Sequence, residues 1–149
     1  MSAWIYDGKP FTDPTPETVG FVYLIENLST GKKYIGKKNF FSHKYSVRTI
    51  VVQSGALKGT KKKKKTKIII PSDWETYFGS NDELKAEVEK LGSDNYRRTI
   101  LRLCKSKAEM SYYEAKEQFE FDVLLSDDFY NAWICVRCTK RHLSKVKEG

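Results

Sequence analysis

The sequence is poor in the features that would assign it to a secreted or membrane class. It has three cysteines in 149 residues, a small and odd number that argues against a disulfide scaffold and favours a reducing compartment. No apolar run approaches the roughly 18–20 residues that span a bilayer. The start, Met1 to Trp4, lacks the basic segment and apolar stretch of a secretory signal. We therefore expect a cytoplasmic protein that does not span a membrane.

Acidic residues are outnumbered. The chain has 27 Lys and Arg against 19 Asp and Glu, a formal net charge of +8. Hydrophobic residues make up 40% and aromatic residues 13%, which excludes disorder of the whole chain. The length suits one domain. A basic surplus indicates a polyanionic partner, either nucleic acid or an anionic membrane, and composition does not choose between them.

Runs of β-branched and aromatic residues alternate with helical patterns and predict a small α+β domain. Residues 20–26 and 33–38 read as two strands joined by a turn, and 96–104 as a third strand. Two capping boxes begin helices that end near Gly92 and Leu125; their residues are Ser80 with Glu83 and Ser106 with Glu109. The prediction is a three-stranded antiparallel sheet flanked by helices.

The remaining segments divide the chain around this domain. Residues 1–19 are rich in turn residues and read as an N-terminal arm, and 135–149 read as a basic tail. The domain itself is expected over 20–134. Within it, 39–50 suggest a short helix, and 55–71 suggest a mobile basic loop because the like charges of its lysines repel one another.

The hairpin contains two short motifs. One is Gly20, Val22 and Tyr23, and the other, eleven positions after Tyr23, is Tyr34-Ile35-Gly36. Three further segments follow in order: Trp74, Tyr77, Gly79 and Ser80; then Tyr112-Tyr113-Glu114-Ala115 in the second helix; then Tyr130-Asn131. Together they resemble the GIY-YIG nuclease family, and most of all its small phage members of the Seg type. The resemblance runs from about Gly20 to Trp133.

The resemblance implies a metal-dependent DNA endonuclease. Glu114 would hold Mg²⁺ or Mn²⁺, and Tyr23 and Tyr34 would lie against the scissile phosphate, one of them orienting or deprotonating the attacking water. Asn131 would close the site or brace the fold. The residues themselves agree, since a carboxylate on a helix face otherwise made of apolar and aromatic side chains needs a reason. Glu117, one turn later, is the rival ligand.

Basic residues supply candidates for phosphate binding. The family places an arginine on a helix after the Tyr-Ile-Gly strand, where this chain has Lys44, with Arg48 one turn further on; lysine lacks the bidentate fork of arginine. His43 or Tyr45 could accompany it. The other candidates for DNA contact are Lys37, Lys38, Lys58, Lys61, Lys62, Lys63, Lys64, Lys65 and Lys67. Such contacts position DNA without reading its sequence, although a lysine run can also be a solvated loop.

Two other readings stay open. The first is a non-catalytic nucleic-acid-binding module that uses the hairpin and the lysine-rich loop. The second is a small zinc protein, since Cys135, Cys138 and His142 form a partial zinc pattern to which Cys104 could add a ligand. The endonuclease is favoured because a binding module has no need of Glu114. It would be phage-encoded, active in the infected cell, and homing-like or directed at competing DNA; a homodimer would suit double-strand cleavage.

Overall fold

A computed structural model describes residues 3–143 of the chain. The first two residues of the predicted arm and residues 144–149 of the predicted tail lie outside the described residues. The chain divides into two units, one made of residues 1–40 and 73–149 and the other of residues 41–72. The second unit is therefore an insertion in the first, and each is described by itself below.

The described chain forms seven strands and two α-helices. The helices are α1 (Asp82–Leu91) and α2 (Lys107–Glu120). In chain order the strands are β1 (Trp4–Tyr6), β2 (Lys9–Pro10), β3 (Gly20–Asn27), β4 (Lys33–Asn39), β5 (Phe41–Val51), β6 (Lys61–Pro71) and β7 (Tyr96–Cys104). Among residues 3–143, neither helix has the length and apolar character needed to cross a membrane.

The main sheet confirms the α+β class, but the prediction of three strands is wrong. Its five strands have the order β2-β1-β7-β3-β4. The antiparallel pairs β3–β4 and β3–β7 form the three expected strands, and β1 extends them in parallel with β7. The predicted arm therefore belongs partly to the sheet. Trp4 holds it there, because its indole is buried and Nε1 donates to the carbonyl of Trp74 at 2.7 Å.

Both helices begin near the predicted places, and α2 ends earlier than the predicted Leu125. Ser106 caps α2 by accepting from the Glu109 N–H at 3.0 Å, as predicted. The cap of α1 is Asn81, which accepts from the Leu84 N–H at 3.0 Å, and not Ser80. Helix α2 ends at Glu120, so Phe121 lies beyond it and is exposed.

Strand β3 is central to the core and is buried on both faces. Alternate side chains of a strand point to opposite faces. Val22 and Leu24 join a cluster with Met110 of α2, and Phe21 joins an aromatic cluster on the other face with Trp4 and Trp74. Packing on both faces holds β3 in place, and β4 is paired with β3, so the two clusters determine where the candidate site residues of both strands lie.

The second unit is a two-stranded antiparallel ribbon. Its ladder pairs β5 with β6 without a shift, from Phe41 opposite Pro71 to Val51 opposite Lys61. The predicted short helix over 39–50 and the predicted loop over 55–71 are therefore wrong, since most of both segments is strand. The physical reason is that β-branched residues on β5 and the isoleucines 68–70 favour extended backbone, which outweighs the repulsion that suggested a loop.

Candidate active site

A cavity of about 370 Å³ lies beside the edge strand β4. It combines side chains from β3, β4, the start of α1, α2 and the segment after residue 130. The residues that line it are Tyr23, Tyr34, Lys37, Ser80, Asn81, Glu114, Gln118, Asn131, Trp133 and Cys135. The cavity thus brings together both tyrosines, the glutamate and the asparagine that the sequence singled out.

Glu114 supplies the one carboxylate of this lining among the described residues. Burial raises its pKa, while the charge of Lys37 and a hydrogen bond from the Lys37 backbone N–H act to lower it. The rival Glu117 does not line the cavity, since its Oε1 accepts from Arg102 Nε at 3.2 Å. Geometry therefore favours Glu114 over Glu117, a choice that spacing along the helix left open.

The two motif tyrosines lie side by side but differ in exposure. Their ring centroids are 6.1 Å apart, and Tyr23 is 1% exposed while Tyr34 is half-buried. Burial raises the pKa of both phenols, with nearby Tyr77 and Glu114 adding to the effect. Both hydroxyls are therefore neutral at pH 7 and can donate or accept hydrogen bonds.

Crowding around position 36 explains why the Tyr34-Ile35-Gly36 motif ends in a glycine. Gly36 pairs with Tyr23 across the β3–β4 ladder. A Cβ at position 36 would stand 2.7 Å from Cζ of Tyr23 and 3.0 Å from Cε1 of Tyr34. Both phenol rings therefore occupy the space that a side chain would take, and the backbone of β4 serves as the floor beneath them.

Ser80 is a site residue whose role sequence reasoning mistook. Its Oγ lies 3.0 Å from Oη of Tyr34, so the hydroxyl is committed to the tyrosine while Asn81 caps α1. The signal that could have identified Ser80 is the segment from Trp74 to Ser80, which resembles the family but was given no role from the sequence. Tyr77 was also left without a role, and its ring stands edge-on to Tyr23 at 6.0 Å.

Asn131 holds the backbone of β4 with both ends of its amide. Its Oδ1 accepts from the Ile35 N–H at 3.0 Å, and its Nδ2 donates to the Ile35 carbonyl at 2.8 Å. Gln118, which the sequence analysis did not identify, donates to the same carbonyl at 3.1 Å. Asn131 thus fixes the residue between Tyr34 and Gly36, as a positioning residue at the cavity wall.

We expect Asn131→Ala to lower the free energy of unfolding by about 1–3 kcal/mol, because two hydrogen bonds are lost and the Ile35 N–H loses its partner, while the Ile35 carbonyl keeps its bond from Gln118. Urea unfolding followed by tryptophan fluorescence would measure it. Asn81→Ala is a matched comparison, since it also removes an amide that binds the backbone. An unchanged midpoint for Asn131→Ala would show that its amide does not brace β4.

Of the two lysines after Gly36, one faces the cavity. Lys37 is exposed, lines the cavity and donates from Nζ to Ser111 Oγ at 2.9 Å. Lys38 is paired with Asp73 at 2.6 Å, and its Nζ lies 4.0 Å above the ring of Tyr77. Lys37 is accordingly the better placed cation for a bound phosphate.

The other basic candidates belong to the second unit. Lys44 and Arg48 lie on β5 and not on a helix, and both are exposed. His43 and Tyr45 share that strand. The exposed lysines of β6 and its preceding turn are Lys58, Lys61, Lys62, Lys63, Lys64, Lys65 and Lys67. The helix on which the family arginine is expected is therefore a strand in this chain.

The partial zinc pattern is not gathered into a site. Cys104 is buried at the end of β7, Cys135 is exposed at the cavity, and His142 is exposed. Across residues 3–143, no three His, Cys, Asp or Glu side chains are grouped so that they could hold a metal ion together. A metal at this protein would therefore need ligands from water or substrate in addition to a carboxylate.

Comparison with known proteins identifies the family of the chain. Residues 4–134 match the family described as "Putative endonuclease segE, GIY-YIG domain". The chain therefore belongs to the SegE-type GIY-YIG endonuclease family, as the sequence motifs predicted.

A curated relative is the "Putative endonuclease segE" of Enterobacteria phage T4, which is 29% identical over 111 residues. The match covers 74% of this chain and 39% of the phage protein. No solved structure matches.

Proposed function

We propose that the protein is a metal-dependent endonuclease that hydrolyses DNA phosphodiester bonds. The observation that carries this proposal is the meeting of Glu114 with Tyr23, Tyr34 and Lys37 in one cavity. A carboxylate kept partly desolvated next to a cation and two phenols is costly for a mere binding surface, and such perturbed groups concentrate at functional sites. The family membership supports the same reaction.

The cavity suits a hard divalent cation. Mg²⁺ commonly takes one or two protein carboxylates and completes its shell with water and substrate phosphate oxygens, and Glu114 is positioned to be such a ligand. The cation, Mg²⁺ or Mn²⁺, would polarise the phosphate and lower the pKa of a bound water. The absence of three clustered ligands among residues 3–143 is consistent with this mode of binding.

The side chains around Glu114 have distinct tasks in this proposal. The hydroxyl of Tyr34, which borders the cavity and is fixed by Ser80, orients the attacking water. Tyr23, buried beneath it, holds the ring of Tyr34 in place. Because the pKa of each phenol is raised, these hydroxyls act as neutral hydrogen-bonding groups and not as phenolates. Lys37 binds a non-bridging phosphate oxygen.

Cleavage of supercoiled plasmid by purified protein tests this function. We expect nicked or linear DNA with Mg²⁺ or Mn²⁺ and intact plasmid with EDTA. A mixture of oligonucleotides with random central sequence extends the assay to a sequence-selective enzyme. DNA binding without cleavage in both assays, at any divalent cation, would overturn the proposal in favour of the binding-module reading.

The biological setting is a further part of the proposal. The similarity to a phage protein favours a phage-encoded enzyme that acts on homing sites or competing DNA. If the products include double-strand breaks, a homodimer would supply the second site, and sedimentation with a duplex would reveal it.

A further inference from the structure

The net positive charge of the chain comes from the ribbon, defined as residues 41–72. It carries nine of the 27 Lys and Arg and none of the 19 Asp and Glu. The other unit therefore has 18 cations against 19 carboxylates, a formal charge of −1 beside the ribbon's +9. The attraction of this protein for a polyanion must come almost entirely from the ribbon.

The ladder register divides these cations between two faces. Residues opposite each other across a ladder share a face, and neighbours along a strand alternate. One face, the mixed face, carries the cations Lys44, Arg48, Lys62 and Lys64 together with Ser42, Ser46, Thr66 and the isoleucines Ile50, Ile68 and Ile70. The other, the lysine face, carries Lys61, Lys63, Lys65 and Lys67 on β6 opposite Val51, Thr49, Val47 and Tyr45 on β5.

The mixed face is electrostatically frustrated. Arg48 lies directly opposite Lys64, and like charges across a ladder are destabilising. The ribbon contains no acidic residue that could relieve this repulsion. On the lysine face, by contrast, the ring of Tyr45 attracts Lys65 Nζ, which lies 4.0 Å from its centroid. The mixed face therefore places two cations directly opposite each other, and an anion bound between them would relieve their repulsion.

The dimensions of the ribbon match duplex DNA. At about 3.4 Å per residue, the eleven paired positions extend about 35 Å, close to one turn of B-DNA. The major groove is about 12 Å wide and admits a two-stranded ribbon. Arg, Ser and Thr can hydrogen-bond base edges there, and the mixed face presents these residue types between its lysines.

We propose that the β5–β6 ribbon is the DNA-docking element of this endonuclease and that its mixed face enters the major groove of duplex DNA. Arg48, Ser46 and Thr66 then face base edges, while the lysines on both sides contact phosphates. This inference rests on the proposed function for the choice of DNA as the polyanion. It assigns affinity and groove recognition to the ribbon, and chemistry to the cavity.

Two four-residue variants with equal loss of charge test the proposal. The mixed-face variant is K44Q/R48Q/K62Q/K64Q, and the lysine-face variant is K61Q/K63Q/K65Q/K67Q. Both are made in full-length Glu114→Gln protein and measured in EDTA, so that cleavage does not interfere. Binding of a 30-base-pair duplex is followed by fluorescence anisotropy over a salt series, with thermal unfolding of each variant as the check on folding.

We expect the mixed-face variant to bind about 100-fold more weakly, with a shallower salt dependence, since each lost phosphate contact removes about 0.9 from the log–log slope. The lysine-face variant should lose clearly less. Methylation of guanine N7, which lies in the major groove, should interfere with binding by the parent. Interference from adenine N3 instead, equal losses from both faces, or tighter binding to anionic vesicles than to duplex would each overturn the proposal.

The same variants separate this proposal from the function of the cavity. In the protein with intact Glu114, the mixed-face variant should raise the DNA concentration needed for half-maximal cleavage while the rate at saturation stays within about threefold. If the parent does not cleave but the ribbon variants still lose DNA binding, the endonuclease proposal fails and the ribbon proposal stands. If the ribbon variants bind DNA as tightly as the parent and the parent cleaves it, the ribbon proposal fails and the endonuclease proposal stands.

Discussion

Replacing Glu114 by glutamine is expected to lower the rate of DNA cleavage by at least about 10³-fold, which corresponds to about 4 kcal/mol of transition-state stabilisation. Glutamine keeps the shape and can still accept a hydrogen bond from the Lys37 backbone, but it removes the negative charge. A neutral amide is a poor ligand for Mg²⁺. DNA binding should remain within about threefold of the parent, because the basic ribbon is untouched. Single-turnover cleavage of a saturating duplex measures the rate.

Glu117→Gln is the matched control on the same helix. It removes an equal charge one turn away, where the carboxylate is paired with Arg102 at 3.2 Å. Cleavage should change by less than about fivefold, while stability falls slightly because this pair is only partly exposed to solvent. A collapse of activity in Glu117→Gln with an active Glu114→Gln would transfer the role of metal ligand to Glu117.

The stability of the Glu114 variant provides an independent readout. The folded-state pKa of Glu114 is raised by burial, so its ionisation opposes folding. That penalty is absent below the unfolded pKa of about 4.3, grows as pH rises from there toward the folded pKa, and is fully present above the folded pKa. In EDTA at pH 7, Glu114→Gln should therefore be more stable than the parent, and the two should converge in acid. A destabilised variant would indicate a structural role for the charge.

The local parts of the site were visible in the sequence because they depend on neighbours along the chain. The tyrosines and Gly36 belong to one hairpin, whose register follows from two adjacent strands and a turn. The capping box of Ser106 and Glu109 predicted the start of α2 from residues close together in the chain. The choice between Glu114 and Glu117 depends on a residue that is not a close neighbour along the chain, Arg102 on β7. Only the folded structure shows that this arginine pairs with Glu117.

For the ribbon, the sequence located the basic segment but predicted the wrong structure for it. The lysine run was recognised as a candidate for DNA contact, but repulsion suggested a loop. Pairing with β5 satisfies the backbone of β6, and backbone pairing is not visible in a charge pattern. The absence of acidic residues from 41 to 72 was readable from the sequence and would have predicted that this segment holds the entire surplus of charge.

Gly36→Ala is expected to reduce cleavage by about 100-fold, because misplacement of catalytic groups by about 1 Å costs a factor of this size. The new Cβ would press on Cζ of Tyr23 and Cε1 of Tyr34, so one or both rings must move. Overpacking of this kind also costs about 1–3 kcal/mol of stability. Cleavage should therefore be measured well below the melting temperature, with the folded fraction determined by urea unfolding.

Gly20→Ala separates the two consequences of the added methyl group. Its Cβ would meet the sulfur of Met110 and the carbonyl of Lys38, so the overpacking is comparable but falls at the first residue of β3 and touches neither phenol ring. We expect a similar loss of stability with cleavage within about tenfold of the parent. If both alanine variants lose cleavage equally once folded fractions are matched, general softening of the hairpin would account for the loss, and the positions of the two rings would not.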